Sequence, residues 1–183
     1  MDILSEQAKT LSTDVFTAER YSVIALYKTA YYSFSLPIRL ALYLAGYGDD
    51  RIHERVEKIL LEMGLLFQIQ DDYLDCFGDP RITGKIGTDI EAGKCCWMVV
   101  TALKHCSKEQ SEILRQNYGY DDPAKVAIVK KLYLEIGLKE IFHTYEDNAC
   151  AKIKDMINSF QKDAGLNADV LTIFLQKIYR RNK

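Results

Sequence analysis

Apolar residues return every three or four positions along most of this chain, the spacing of one buried face on an α-helix. From about residue 15 to 47, Tyr21, Ile24, Ala25, Tyr27, Tyr31, Tyr32, Leu36 and Leu40 form one broad stripe. This predicts a single long helix ended by Gly46 and Gly48. Pro37 should kink it, because proline removes an amide donor and crowds the preceding turn. A second long helix is predicted over about 50–77, with Val56, Ile59, Leu60, Met63, Phe67 and Leu74 on its stripe and Gly78-Asp79-Pro80 as its stop. Residues 81–93 lack periodicity and read as a polar loop. Helical pattern resumes near Lys94–Trp97 and continues at about 108–117, 122–136, 138–162 and 168–180. Strand alternation never persists and no Asn-Gly or Asp-Gly hairpin dipeptide occurs. The predicted class is all-α, long helices with short connections suiting a bundle around a central cavity.

Composition narrows the partners. The 183 residues are 48% hydrophobic and 27% charged, enough to bury a core in one domain or part of a larger one. No apolar run approaches the ~20 residues a membrane span needs, and residues 1–6 show no secretory leader. A net charge of -2 gives no basic field for nucleic acid. The only basic cluster is Lys177, Arg180, Arg181 and Lys183, either a solvated tail or a loose end that closes over an anionic ligand. The five cysteines have no zinc spacing and read as reduced thiols of a cytoplasmic protein. His53, His105 and His143 are isolated from one another, which argues against a histidine metal site.

The most informative stretch is Phe67 to Phe77. At about 100° per residue on a helix, Asp71, Asp72 and Asp75 project within one arc, with Gln68 and Phe67 one turn back. Like charges at this spacing cost ~0.2–0.5 kcal/mol per pair on a solvated helix, and more where water is excluded. The apolar flanks Phe67, Ile69, Leu74 and Phe77 predict partial burial, so a compensating cation is expected. Magnesium takes carboxylate oxygens, keeps waters and shares ligands with phosphates. A solvated acidic face is the alternative.

Downstream, Gly84, Gly87 and Gly93 permit close backbone approach to a ligand, while Lys85 and Lys94 supply charge for phosphate. The order is not that of a Walker loop, and the segment reads as a diphosphate clamp or a plain surface loop. Upstream, Lys28 interrupts an apolar helix face, as a snorkelling lysine or as a ligand. Thr29 beside it could bond back to the Ala25 carbonyl. The neighbouring aromatics read as core, or as the lining of a pocket for an apolar chain or a carbocation.

Taken together, Lys28-Thr29, Leu61 to Gly64, Phe67 to Asp75, Phe77 to Pro80, Thr83 to Asp89 and Lys94-Cys95 resemble the trans-isoprenyl diphosphate synthases, in particular the farnesyl diphosphate-forming branch of eukaryotes. The resemblance runs from about Phe16 to Lys183. It implies a helical bundle of the isoprenoid synthase type, with residues 1–183 as the C-terminal part of one such domain. It also implies magnesium-dependent condensation of isopentenyl diphosphate with an allylic diphosphate, dimethylallyl or geranyl, to give farnesyl or geranyl diphosphate, in a cytoplasmic homodimer.

By the same resemblance, Asp71 is a direct magnesium ligand. Asp72 and Asp75 complete the aspartate motif, one or both through metal-bound water, and Asp89 assists the metal shell. Lys28 and Lys85 hold the allylic diphosphate with Lys94 nearby, Thr29 and Gln68 face the allylic cation, and Arg180 and Arg181 close over the co-substrate. The family's first aspartate-rich motif has no counterpart here, and Asp2 matches only the end of a Gly-Gln-x-x-Asp stretch. The expectation is a fragment of the enzyme. Two alternatives are a terpene synthase acting on an allylic diphosphate and a non-catalytic truncated form that binds diphosphate or a full-length subunit.

Overall fold

A computed structural model of the chain describes residues 15–164 and 167–182. Asp2, matched above to the family, and Lys183 of the basic tail lie outside the described residues. Helix α1 (Ala18–Ala25) starts at Thr17, whose hydroxyl accepts the Arg20 amide at 3.1 Å. It passes without a break into a π-helical stretch, Leu26–Ser35, and then into α2 (Leu36–Leu44). The single helix expected over 15–47 is therefore continuous but wider in its middle. There the amides reach back five residues, as Leu36 N–H does to the Tyr31 carbonyl. Pro37 falls in the first turn of α2, where a missing N–H is tolerated, so the expected disturbance takes the form of a change in hydrogen-bond register. Gly46, at φ +85°, turns the chain out of α2.

Helix α3 (Asp50–Phe77) has the predicted bounds. Asp49 caps it by accepting the Arg51 amide at 2.9 Å, and Gly78 closes it on the Leu74 carbonyl at 2.8 Å. The segment read as a loop opens with one helical turn, α4 (Pro80–Thr83). Asp79 accepts the Arg81 amide, Pro80 supplies a preset φ, and Gly84 at φ +75° ends the turn. Helices α5 (Trp97–His105), α6 (Lys108–Asn117), α7 (Pro123–Glu135), α8 (Leu138–Ala164) and α9 (Asp169–Ile178) follow. The described residues contain no strand. They also contain no helix long and apolar enough to cross a membrane.

Helix α3 is the axis of the molecule, packing against the π stretch, α8 and α5. Its C-terminal half joins a core built from Met98, Val99, Leu132, Tyr133 and Phe142. Its N-terminal half, with Ile59, Leu60, Met63 and Leu66, packs on Ile153, Ile157, Leu171 and Leu175. Each such side chain contributes roughly 1.5–3 kcal/mol on burial, which holds the aspartate-bearing turn on a rigid support. Gly64 lets α3 touch the π stretch closely: a Cβ there would sit 2.4 Å from the Ala30 Cα. Glu57 adds a polar tie, accepting from Arg39 at 2.6 Å and from the Ser35 hydroxyl at 3.0 Å.

Candidate functional site

The π stretch presents neighbouring residues to opposite sides. Lys28 is exposed, whereas Thr29 is buried and donates its hydroxyl to Gln68 Oε1 at 2.5 Å. The bond expected from Thr29 to its own helix is replaced by this one, which crosses to α3. Gln68 in turn donates Nε2 to Asp72 Oδ1 at 2.9 Å. A relay of three side chains thus fixes the amide orientation of Gln68 and joins the π stretch to the aspartate motif.

A cleft of about 690 Å³ opens between α1, the π stretch, α3 and the 84–96 loop. Lys28, Gln68, Asp71, Asp72, Asp75, Lys85, Asp89 and Lys94 all line it. Residues from four stretches of sequence are therefore gathered around one space. Thr29 stands behind Gln68, and Arg180 is elsewhere, bonded to Asp147 at 3.2 and 3.3 Å. Arg181 reaches the rim by pairing with Asp71.

The three aspartates have different surroundings. Asp72 is 5% exposed; its Oδ2 accepts the Trp97 amide at 2.7 Å and its Oδ1 accepts Gln68. Burial pushes its carboxyl up to about 6, against the lowering pull of those two hydrogen bonds. It ties α3 to the first turn of α5. Asp75 accepts the amides of Thr88 at 3.3 Å and Asp89 at 2.9 Å, holding the lysine-bearing loop on the end of α3. Gly87 is needed at this junction, since a Cβ would fall 1.7 Å from the Asp75 carbonyl oxygen. Asp71 alone of the three makes no bond to a backbone amide and is paired with a side chain, Arg181, at the cleft surface.

The loop is braced from below. Tyr118 Oη donates to the Lys94 carbonyl at 2.7 Å, and the Gly119 amide to the Ile90 carbonyl at 2.9 Å. Asp89 pairs with Lys94 at 2.6 Å, raising the Lys94 ammonium above its ordinary value. Lys28 and Lys85 form no ion pair among the described residues, so their charges are available to an anion. Arg20, also on the lining, was not anticipated. Its place could have been read from Arg20, Ile24 and Lys28, one helical turn apart each and so on one face.

No group of three or more His, Cys, Asp or Glu side chains among the described residues is placed to cage a metal ion. Magnesium does not require one: it keeps several waters and binds through one or two carboxylates plus phosphate oxygens. One surface carboxylate, Asp71, facing lysines that would hold a phosphate, fits that donor set. All five cysteines are free; Cys76, Cys96 and Cys150 are buried, and Cys95 borders the cleft.

Comparison with known proteins agrees with this geometry. The family described as polyprenyl synthetase matches over residues 1–136. Farnesyl pyrophosphate synthase of Candida albicans is 43% identical over 183 residues, covering all of this chain and 52% of the relative. The human farnesyl pyrophosphate synthase is 46% identical over the same residues, which make up 43% of its length. The chain thus spans about half the length of the curated relatives it matches. Among solved structures, T. brucei farnesyl diphosphate synthase complexed with risedronate superposes with a TM-score of 0.87 at 34% identity, over 100% of this chain and 51% of that one. The likeness extends to the all-α architecture of that enzyme.

Proposed function

The chain belongs to the polyprenyl synthetase family, and from that premise we propose that it serves a prenyl transfer in which isopentenyl diphosphate condenses with dimethylallyl or geranyl diphosphate. The products would be geranyl or farnesyl diphosphate. The observation that carries this reading is the meeting of Lys28 and Lys85, from two separate elements, with Asp71 around one cleft. In this reading residues 1–183 form the C-terminal part of one synthase domain, and the whole enzyme is a cytoplasmic homodimer. The five free thiols support the reducing compartment.

The chemistry asks for a diphosphate that leaves and a cation that survives. The allylic C–O bond breaks with its electron pair on the diphosphate, the isopentenyl double bond attacks the carbon, and a proton is lost. Magnesium, when bound, would neutralise charge growing on the departing oxygens. Lys28 and Lys85 hold the diphosphate and add fixed positive charge on the same side. Asp71 is the residue that would carry the ion. Asp72 and Asp75 act as positioning residues: one sets α5 against α3, the other sets the Lys85 loop. Thr29 orients Gln68, whose amide dipole borders the space where the allylic carbon would sit. Asp89 steers Lys94 towards the cleft.

Calorimetric titration of the chain with geranyl diphosphate, with and without magnesium, tests the proposal. Magnesium should tighten binding, and Asp71→Asn should remove that gain. Lys28→Ala and Lys85→Ala should each weaken binding by about 10–100-fold, the loss of one charge-assisted hydrogen bond. Equal affinity in all four proteins, with no response to magnesium, would remove the basis of the reading.

A further inference from the structure

Arg181 and Asp71 are 110 residues apart in sequence and in direct contact. The Arg181 side chain is 11% exposed, against 38% for Asp71, so the tail arginine is the more deeply seated of the two. It is held on several sides. Its guanidinium lies over the Phe67 ring, 3.8 Å from the centroid. Its Nε donates to Gln70 Oε1 at 3.0 Å and its Nη2 to the Phe67 carbonyl at 3.2 Å.

Gln70 is itself 1% exposed and donates Nε2 to Glu146 Oε1 and to the Ile178 carbonyl, both at 2.7 Å. Those two acceptors fix which end of the amide is oxygen, so its Oε1 is turned to Arg181. Arg180, at φ +51°, adopts the left-handed conformation that non-glycine residues rarely take. The turn sends Arg180 outward to Asp147 and Arg181 inward to Asp71. A seat with this many fixed partners is a built one.

A guanidinium and a divalent cation cannot share one carboxylate oxygen, and at short range in a partly buried site they repel. We propose that Arg181 is a resident counter-cation of Asp71, positioned by Gln70, which an arriving divalent ion must displace. Metal loading then releases the segment after α9. This rests on the metal–diphosphate reading above and adds to it a device by which the C-terminal segment responds to the metal before any product is made.

The test is Mn²⁺ binding to the 183-residue chain, followed by the electron paramagnetic resonance signal of the free ion. Arg181→Gln should bind Mn²⁺ about tenfold more tightly than wild type, as expected when one competing ion pair is removed. Arg180→Gln removes the same charge from the Asp147 pair and should stay within about twofold of wild type. Independently, Mn²⁺ should speed tryptic cleavage after Arg181 several-fold in wild type, whereas Asp71→Asn should be cut fast with or without the ion. Unchanged or weaker binding by Arg181→Gln, or equal tightening by Arg180→Gln, overturns the proposal. A wild type that binds Mn²⁺ with inorganic pyrophosphate through Asp71, while Arg181→Gln gains nothing, sinks the counter-cation alone. No Asp71-dependent binding in any variant, even with pyrophosphate, sinks the metal reading as well.

Discussion

Asp71, Asp72 and Asp75 are the same residue type within little more than one helical turn, yet their surroundings set them apart. Two accept main-chain amides and organise structure, and the third meets a cation at the cleft. Residue type and spacing were legible in the sequence, because helical geometry alone puts the three on one arc. Their partners were not, because Trp97, Thr88 and Arg181 arrive through tertiary folding. The same dependence on surroundings governs the thiols. Burial pushes the Cys76 thiol up to about 12 and raises Cys96 and Cys150 as well. A thiol with that value is ionised to about one part in ten thousand at pH 8, and the thiolate is the nucleophile. Cys106 is only partly buried. Native alkylation with iodoacetamide at pH 8, mapped by peptide mass spectrometry, should therefore modify Cys106 well ahead of Cys76 and Cys96. Early labelling of Cys76 would mean that α3 opens far more readily than its packing allows.

At the scale of elements, α3 was readable to its ends because both carry local chemistry: Asp49 as a cap, and Gly78-Asp79-Pro80 as a stop. The π stretch was not readable. Its composition differs little from that of the α-helices on either side, and only its packing partner selects the wider register. That partner is the Gly64 turn of α3. The close approach there brings Thr29 within reach of Gln68 while Lys28 stays on the cleft side. Gly64→Ala would push a methyl group to within 2.4 Å of the Ala30 backbone, which cannot rotate away. Overpacking of this kind costs about 1–3 kcal/mol. For a chain of this length that corresponds to a fall of roughly 3–10 °C in Tm. Calorimetry should show it, together with weaker geranyl diphosphate binding as the Thr29–Gln68 bond opens. Adding Ala30→Gly should recover only part of the loss, since the Ala30 Cα is itself in the way. An unchanged Tm would mean that the two helices are not in contact as described.

For the molecule as a whole, the apolar pattern that predicted the first helix proves to serve two surfaces. Part of the stripe is core: Tyr21, Ala25 and Ala30 are buried. Another part faces out, with Tyr27 71% and Tyr32 72% exposed, followed by Leu36, Leu40 and Tyr43 along the same side of the rod. These side chains and Tyr31 line a shallow groove of about 560 Å³ floored by Arg39 and Glu57. Periodicity marks which positions share a face, but it does not say whether that face is covered, so this division was invisible in the sequence. A contiguous apolar face of this kind is larger than isolated side chains on an ordinary surface would give, and it should take up an apolar dye. The isolated chain is expected to enhance anilinonaphthalene sulfonate fluorescence while retaining a cooperative thermal transition. Tyr32→Gln combined with Leu40→Gln should cut that enhancement severalfold. It should move Tm by only a few degrees, because exposed side chains contribute within about 0.5 kcal/mol each to stability. Cooperative melting separates this from a loosely packed state, which also binds the dye but has lost fixed tertiary packing. If the double variant instead fails to fold, these side chains are part of the core, and the groove is filled by the chain itself.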